Sequence, residues 1–312
     1  MSDIVLSILI ITYNQEKYIK QTLDSILNQN YNFTYEIIIG DDCSNDDTRN
    51  ILHYYSEKYP NIIKTIYNER NLGVIKNYFN VLNHCTGKYI MECAGDDYWL
   101  PGKVEKQIDL MEKDSSIGLC YGKAKCFDEN GKYLNYSVGN EWCTFTELLK
   151  TNCIPACTVC FRKSVFEAYL NEINPEKRTW KMEDYPAWLW MSKNTRIYFI
   201  NDYLSAYRVL SESVSRTKDI DKMISFEENT WQIRNFFAEK YNMPILFFDK
   251  DKYRQSLLFN ELLNFYNKDI ASELKKYLNL NSMKNILKYI IFSSKFLFNF
   301  YYKLIKRESK RT

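Results

Sequence analysis

Histidine is nearly missing from this chain: His53 and His84 are the only two in 312 residues, beside nine glycines and six prolines. The single C-x-x-C, Cys157 to Cys160, therefore has no second ligand pair with which to build a structural zinc site. Long apolar runs are absent too, and no stretch reaches the roughly 18–20 residues that a membrane-spanning helix needs. No period of about 20–50 residues recurs, which excludes solenoids and arrays, and no Gly/Ser-rich linker divides the chain. Charge of one sign is scarce: 42 Lys+Arg against 39 Asp+Glu leave a net +3, too little for a protein that coats a polyanion, so no nucleic-acid partner is expected. The start runs from Asp3 straight into VLSILII with no leader pattern. The nine cysteines, an odd number spread over positions 43 to 160, are thus expected as reduced, buried thiols of a cytoplasmic protein.

What is present is core material, with 46% hydrophobic and 16% aromatic residues. Residues 4–12 form a nearly continuous branched apolar run, as a strand buried on both faces does. Ile19, Leu23, Ile26 and Leu27 then recur at helical spacing, with Asn14 placed to cap the first turn. The strand EIIIGD (36–41) leads through Ser44, Asn45 and Asp46 into a helix bearing Ile51, Tyr55 and Lys58. The alternation continues with strand 62–68, a helix carrying Val74, Tyr78 and Val81, strand KYIMECAG (88–95), and a helix starting at Pro101. Such alternation predicts right-handed crossovers and a mostly parallel, Rossmann-like sheet flanked by helices. Shorter strands follow after about residue 115, in IGLCYGKAKCF, TVCFRK and RIYFIN, with a Trp-rich helix between the last two. From about 221 the chain reads as helical. The expected division is 1–218 as the α/β domain, 219–283 as a helical appendage and 284–312 as a basic amphipathic tail.

In sheets of this kind ligands bind beyond the carboxyl ends of the strands. Thr12-Tyr13-Asn14, Asp41-Asp42 and Asp96-Asp97 all follow strands and so fall on one edge. Adjacent carboxylates such as Asp96-Asp97 repel each other unless a cation or hydrogen-bond donors compensate. Hard oxygen ligands without histidine suit Mg²⁺ or Mn²⁺; the plain alternative is a solvated loop whose aspartates cap the next helix. A phosphate-binding Walker loop and a G-x-G-x-x-G are both absent, TYNQEKY standing where the latter would lie.

SILIITYN (7–14), EIIIGDDCSNDDT (36–48), NERNLGVIKN (68–77), GKYIMECAGDDYWLPGKVEKQ (87–107) and EDYPAWLWMSK (183–193) resemble, in order and spacing, the successive motifs of family 2 glycosyltransferases. The resemblance implies a GT-A fold that binds a nucleotide-diphosphate sugar and transfers the sugar with inversion; the expected acceptor is a hydroxyl of a lipid-linked glycan in surface polysaccharide biosynthesis. By motif position, Thr12 and Tyr13 would meet the nucleoside, Asp42 would accept a base N–H, and Lys76 would lie near the nucleotide. Asp96 would face ribose or donor sugar, Asp97 would ligate Mg²⁺ or Mn²⁺, and Asp184 would be the general base. Glu183, Trp180 and Trp188 would meet the acceptor, as Tyr185 could; Trp190 reads as core, and Glu183-Asp184 could equally be the acidic first turn of a helix. Leu210 stands where many relatives carry a histidine that reaches the metal or diphosphate; Arg208 or Arg216 could supply that charge. The same departure keeps open a degenerate, non-catalytic docking module.

The tail spaces Lys284, Lys288, Lys295, Asn299, Lys303 and Lys306 along one helical stripe beside a wide aromatic face. That pattern fits a helix lying in an anionic membrane interface, which would make the protein peripheral on the inner face of the cell membrane. Packing on its own domain, or on a second copy in a homodimer, is the other reading. Residues 284–312 hold eight Lys+Arg against one Glu, whereas residues 1–283 hold 34 against 38 Asp+Glu. A mildly acidic body thus precedes a strongly basic tail.

Overall fold

The computed structural model describes residues 3–210, 219–243, 271–272, 274–275, 283–292, 294 and 297–298. Strand β1 (Leu6–Thr12) buries six of its seven residues, which its sequence LSILIIT dictates. Helix α1 (Ile19–Leu27) and strand β2 (Tyr35–Asp41) follow, then α2 (Thr48–Lys58) and β3 (Ile63–Tyr67). Helix α3 (Val74–Leu82) crosses back to β4 (Tyr89–Ala94). The order β3-β2-β1-β4 is parallel throughout, with Thr12 in register with Asp41 and Ile11 with Ala94. The chain therefore winds one way from β1 to β3 and the other way to β4, so a crevice opens beyond the ends of β1 and β4.

Alternation along each strand sorts the two faces. Ile8 and Ile10 of β1, Ile37 and Ile39 of β2, and Met91 and Cys93 of β4 share one core with Leu23 of α1, Leu52 and Tyr55 of α2, and Val104, Ile108 and Met111 of α4 (Lys103–Lys113). On the other face α3 lies close over β2, where a Cβ on Gly40 would overlap Asn77 Oδ1 and Val81 Cγ2.

The remaining strands extend the sheet in mixed directions. They are β5 (Tyr98–Trp99), β6 (Ile117–Asp128), β7 (Tyr133–Val138), β8 (Cys160–Arg162) and β9 (Arg196–Val209). The sheet order continues from β4 through β8, β6 and β9 to β5, with β7 paired to β6. Between them stand α5 (Phe145–Lys150), α6 (Lys163–Ile173) and α7 (Asp184–Asn194).

The expected α/β architecture is present, with three local corrections. Asn14 does not cap α1, which begins five residues later; its backbone is left-handed (φ 51°) and its Oδ1 accepts from the Asn45 N–H at 2.8 Å. Pro101 lies in a turn ahead of α4, which starts at Lys103 after a left-handed Gly102. The sequence reading also left out α5 and α6, the short strand β5 and β7, the exposed strand of the hairpin whose apolar side chains are too few to announce it.

The chain divides into two compact units, Met1–Leu210 and Ser211–Thr312. In the second, α8 (Ile220–Lys240) is capped by Asp219, whose carboxylate accepts from the N–H groups of Asp221 and Lys222. A further helix spans Met283–Phe292. Arg216 and most of the lysine stripe lie outside the described residues. All nine cysteines are free thiols, six of them buried.

Candidate active site

The loops after β1 and β2 are tied to each other. The Asn14 N–H donates to Ser44 Oγ at 2.9 Å, and the Gln15 N–H to Thr48 Oγ1 at 2.9 Å. Thr12 is buried and its hydroxyl donates to Gln15 Oε1 at 2.8 Å, whereas the Tyr13 ring is 44% exposed at the crevice. Gly95 completes this wall, since a Cβ there would stand 2.7 Å from Thr12 Oγ1.

The two aspartates after β2 do different things. Asp41 is fully buried and accepts from Arg49 Nε at 2.6 Å and the Ser44 N–H at 3.2 Å, so it fastens the loop. Asp42 accepts on Oδ1 from the Leu72 N–H (2.8 Å) and Asn68 Nδ2 (3.0 Å), and on Oδ2 from the Gly73 N–H (2.8 Å). A carboxylate has about four lone-pair sites, which leaves one on Oδ2. Lys76, in the first turn of α3, is exposed.

Asp96 and Asp97 follow β4 at the switch point. Asp97 is 4% exposed; its Oδ1 accepts from the backbone N–H of Arg208 at 2.8 Å, and the buried Cys157 thiol lies beside this carboxyl. Burial, and then the neighbouring Asp96 charge, push the Asp97 carboxyl well above its usual range; burial raises Asp96 as well, against the pull of Arg208. The buried Arg208 guanidinium reaches the Asp96 carbonyl (Nε, 2.9 Å) and Gln21 Oε1 (2.7 Å) and lies over the Tyr18 ring at 4.4 Å. A permanent cation on β9 thus stands two residues before Leu210 and against the aspartate pair.

The site residues fit a hard divalent cation in one respect: two adjacent carboxyls, Asp97 buried and Asp96 partly so, have their proton affinity raised chiefly by burial, and a cation beside them would offset that cost. Among the described residues no cluster of three or more His, Cys, Asp or Glu side chains could hold a metal. The remaining ligands would have to come from substrate phosphates and water, the usual situation for Mg²⁺.

Glu183 and Asp184 open α7. Asp184 Oδ1 accepts from the Tyr185 N–H at 2.6 Å, and Asn152 Nδ2 lies 3.5 Å from its Oδ2. Burial and the Asp184 charge push the Glu183 carboxyl up to about 8, and burial raises Asp184 too. The helix is anchored by Tyr185, whose hydroxyl donates to the Leu148 carbonyl at 2.6 Å, and by fully buried Trp188. This corrects two expected acceptor contacts: Trp188 and Tyr185 have no face left for a sugar, because α7 turns them into the core. Trp190 is core, as expected, at 5% exposure. Trp180 remains partly exposed, with the Arg178 guanidinium 4.9 Å from its ring.

Sequence reasoning passed over Glu92. It is buried in β4, accepts from the Tyr78 hydroxyl, and is raised well above its usual range by burial; the Glu183 and Asp184 charges add to that rise. The signal was a carboxylate inside an otherwise apolar parallel strand. Segment 151–158 links the two acidic groups, Asn152 at Asp184 and Cys157 at Asp97.

An open α/β sheet with paired carboxylates at its switch point, and no phosphate-binding glycine loop, defines a GT-A-like protein rather than a dinucleotide-binding one. The family model for glycosyl transferase family 2 matches residues 7–170, more than half of the chain, and the chain belongs to that family. It is 30% identical over 216 residues to the putative teichuronic acid biosynthesis glycosyltransferase TuaG of Bacillus subtilis, covering 69% of this chain and 82% of that one. It is likewise 30% identical over 247 residues to WfgD of Escherichia coli, a UDP-Glc:alpha-D-GlcNAc-diphosphoundecaprenol beta-1,3-glucosyltransferase, covering 77% and 88%. To an uncharacterized Mycobacterium tuberculosis protein it is 37% identical over 127 residues, 40% of this chain, and it spans only 37% of that protein's length. The structure of Staphylococcus aureus TarS with UDP-GlcNAc superposes with a TM-score of 0.58 at 18% identity over 93% of this chain and 89% of that one, a likeness of fold.

Proposed function

We propose that the protein is an inverting glycosyltransferase that moves a sugar from a nucleoside-diphosphate donor to a hydroxyl of a lipid-linked glycan in polysaccharide biosynthesis. The observation that carries this reading is the pair of acidic groups, Asp96-Asp97 at the switch point, with Asp97 buried, and partly buried Glu183-Asp184 at the start of α7, joined by one segment of chain. The donor lies over the ends of β1 and β4, with the nucleoside against Thr12 and exposed Tyr13, the free lone pair of Asp42 toward the base, and Lys76 near the phosphates. Asp96 faces the ribose or donor sugar. Asp97, with Asp96 beside it, would hold Mg²⁺ or Mn²⁺, which neutralises charge on the departing diphosphate. Arg208 adds a fixed positive charge where Leu210 offers no ligand.

Transfer is a single displacement: the acceptor hydroxyl attacks the anomeric carbon as the nucleoside diphosphate leaves. Asp184 takes the hydroxyl proton, a general-base contribution of about 10² to 10⁴. Burial raises its proton affinity, which strengthens it as a base. Glu183, holding its own proton near neutral pH, adds no second negative charge beside the base, and partly exposed Trp180 borders the acceptor.

Among the described residues no helix is long and apolar enough to cross a membrane. Exposed Leu287, Ile290 and Leu297 in the tail support a peripheral docking surface for the inner face of an anionic membrane. A thermal-shift panel of nucleotide sugars with and without Mn²⁺, followed by transfer assays of Asp184→Asn, tests the whole reading. A specific, metal-dependent stabilisation and loss of transfer in the variant are expected. No response to any nucleotide sugar, or undiminished function of the variant, would instead support a docking module.

A further inference from the structure

The outer face of the sheet beside the site carries a row of aromatic and basic side chains. Lys123, Lys125 and Phe127 alternate along β6 and so project from one face. The ammonium groups of Lys123 and Lys125 lie 5.7 and 5.1 Å from the Tyr203 ring centroid. The Phe127 ring is 5.6 Å from that of Tyr133 and 5.8 Å from that of Tyr98. Tyr203 and Tyr133 are 37% and 39% exposed. The row ends at the site itself: Tyr98 follows Asp97, and Phe127 is in register with Arg208.

We infer that this row is a binding rail for the acceptor, and that the acceptor is an extended saccharide chain carrying anionic groups. The inference rests on the glycosyltransferase reading above and adds the charge and the path of the acceptor. A tyrosine ring offers a flat apolar surface to the C–H face of a pyranose while its hydroxyl stays wet. The lysine ammonium groups are fixed over Tyr203, where they meet carboxylates or phosphates on the same chain. The nearby Asp202 carboxylate forms its close ion pair with Lys106 and feels Lys123 only at longer range, so Lys106, Lys123 and Lys125 together outnumber it and the row carries net positive charge there. From Lys123 to Phe127 the strand covers roughly 13 Å at about 3.3 Å per residue, enough for a short oligosaccharide. The exposed rings of the row are tyrosines, each with a polar hydroxyl, which favours a glycan over a lipid surface.

The test compares the full chain with a Lys123→Ala/Lys125→Ala variant and with Tyr203→Ala. Binding of oligogalacturonate and of maltohexaose of equal length is measured by calorimetry, alongside binding of vesicles containing an anionic phospholipid. The wild type is expected to bind oligogalacturonate at least tenfold more tightly than maltohexaose. The lysine variant should lose about tenfold of that affinity, and Tyr203→Ala should weaken both sugars. Equal affinity for the two sugars, no binding of either, or variants that match the wild type would overturn the rail, as would a loss confined to vesicle binding. Stabilisation by nucleotide sugar in wild type and variants alike shows that the fold and the donor site stand. Its absence in the wild type would count against the transferase reading rather than the rail alone.

Discussion

The backbone N–H of Arg208, on β9, donates to Oδ1 of Asp97, at the end of β4, across 111 residues of sequence at 2.8 Å. The same residue's guanidinium holds the Asp96 carbonyl and Gln21. One position thus fixes the carboxylate geometry through its backbone and balances its charge through its side chain. Replacing Arg208 with Met keeps the backbone bond and removes the charge. The expected result is a loss of roughly 2–4 kcal/mol, since buried partners are left unpaired, together with weaker Mn²⁺ binding measured by calorimetry in the presence of nucleotide. Unchanged stability and unchanged Mn²⁺ affinity would reject this role.

Glu183 makes the stability of the fold depend on pH. Its carboxyl is near its ordinary value of 4.5 when unfolded and is pushed up to about 8 when folded. Between those values the folded state binds more protons than the unfolded state, so stability falls as pH rises through the window. Urea midpoints should therefore drop between about pH 4.5 and 8. Glu183→Gln should flatten much of that slope, because an amide has no proton to lose; a slope as steep as the wild type's would show that Glu183 titrates normally.

Asp42 is a fastener as well as a proposed ligand. Asp42→Ala strands the Leu72 and Gly73 N–H groups and the Asn68 amide, and a loss of about 3 kcal/mol is expected by denaturant titration. Lys76→Ala touches an exposed side chain and should leave stability within about 0.5 kcal/mol while raising the KM for the donor. The pair separates loop integrity from nucleotide contact.

Trp188 and Trp180 should behave oppositely. Fully buried Trp188 packs 6.0 Å from the Phe161 ring, and Trp188→Ala should cost about 3–5 kcal/mol. Trp180→Ala should change acceptor KM far more than stability. Equal melting-temperature losses in the two would place both in the core.

Gly40 admits no side chain. Gly40→Ala would drive a methyl into Asn77 and Val81 and should destabilise by about 1–3 kcal/mol, read from the urea midpoint.

Much of the fold was legible in the sequence because its signals are local. The apolar runs at β1, β2 and β4, and the helical spacing of Leu23 or Tyr78, follow from backbone periodicity, and parallel winding then puts Thr12, Asp42 and Asp97 on one edge. The charge contrast between body and tail is likewise a property of the sequence. Tertiary structure alone decided what neighbours do to identical residue types. Asp41 and Asp42 look alike in sequence, yet Arg49 locks one and the 68–73 loop locks the other. Trp188 and Trp180 differ only in which side of α7's start they occupy, and one becomes core. Glu92 joined the acidic group, and Arg208 reached Asp97, through contacts between residues distant in sequence. Burial, charge proximity and hydrogen-bond partners depend on such contacts, and no local pattern encodes them.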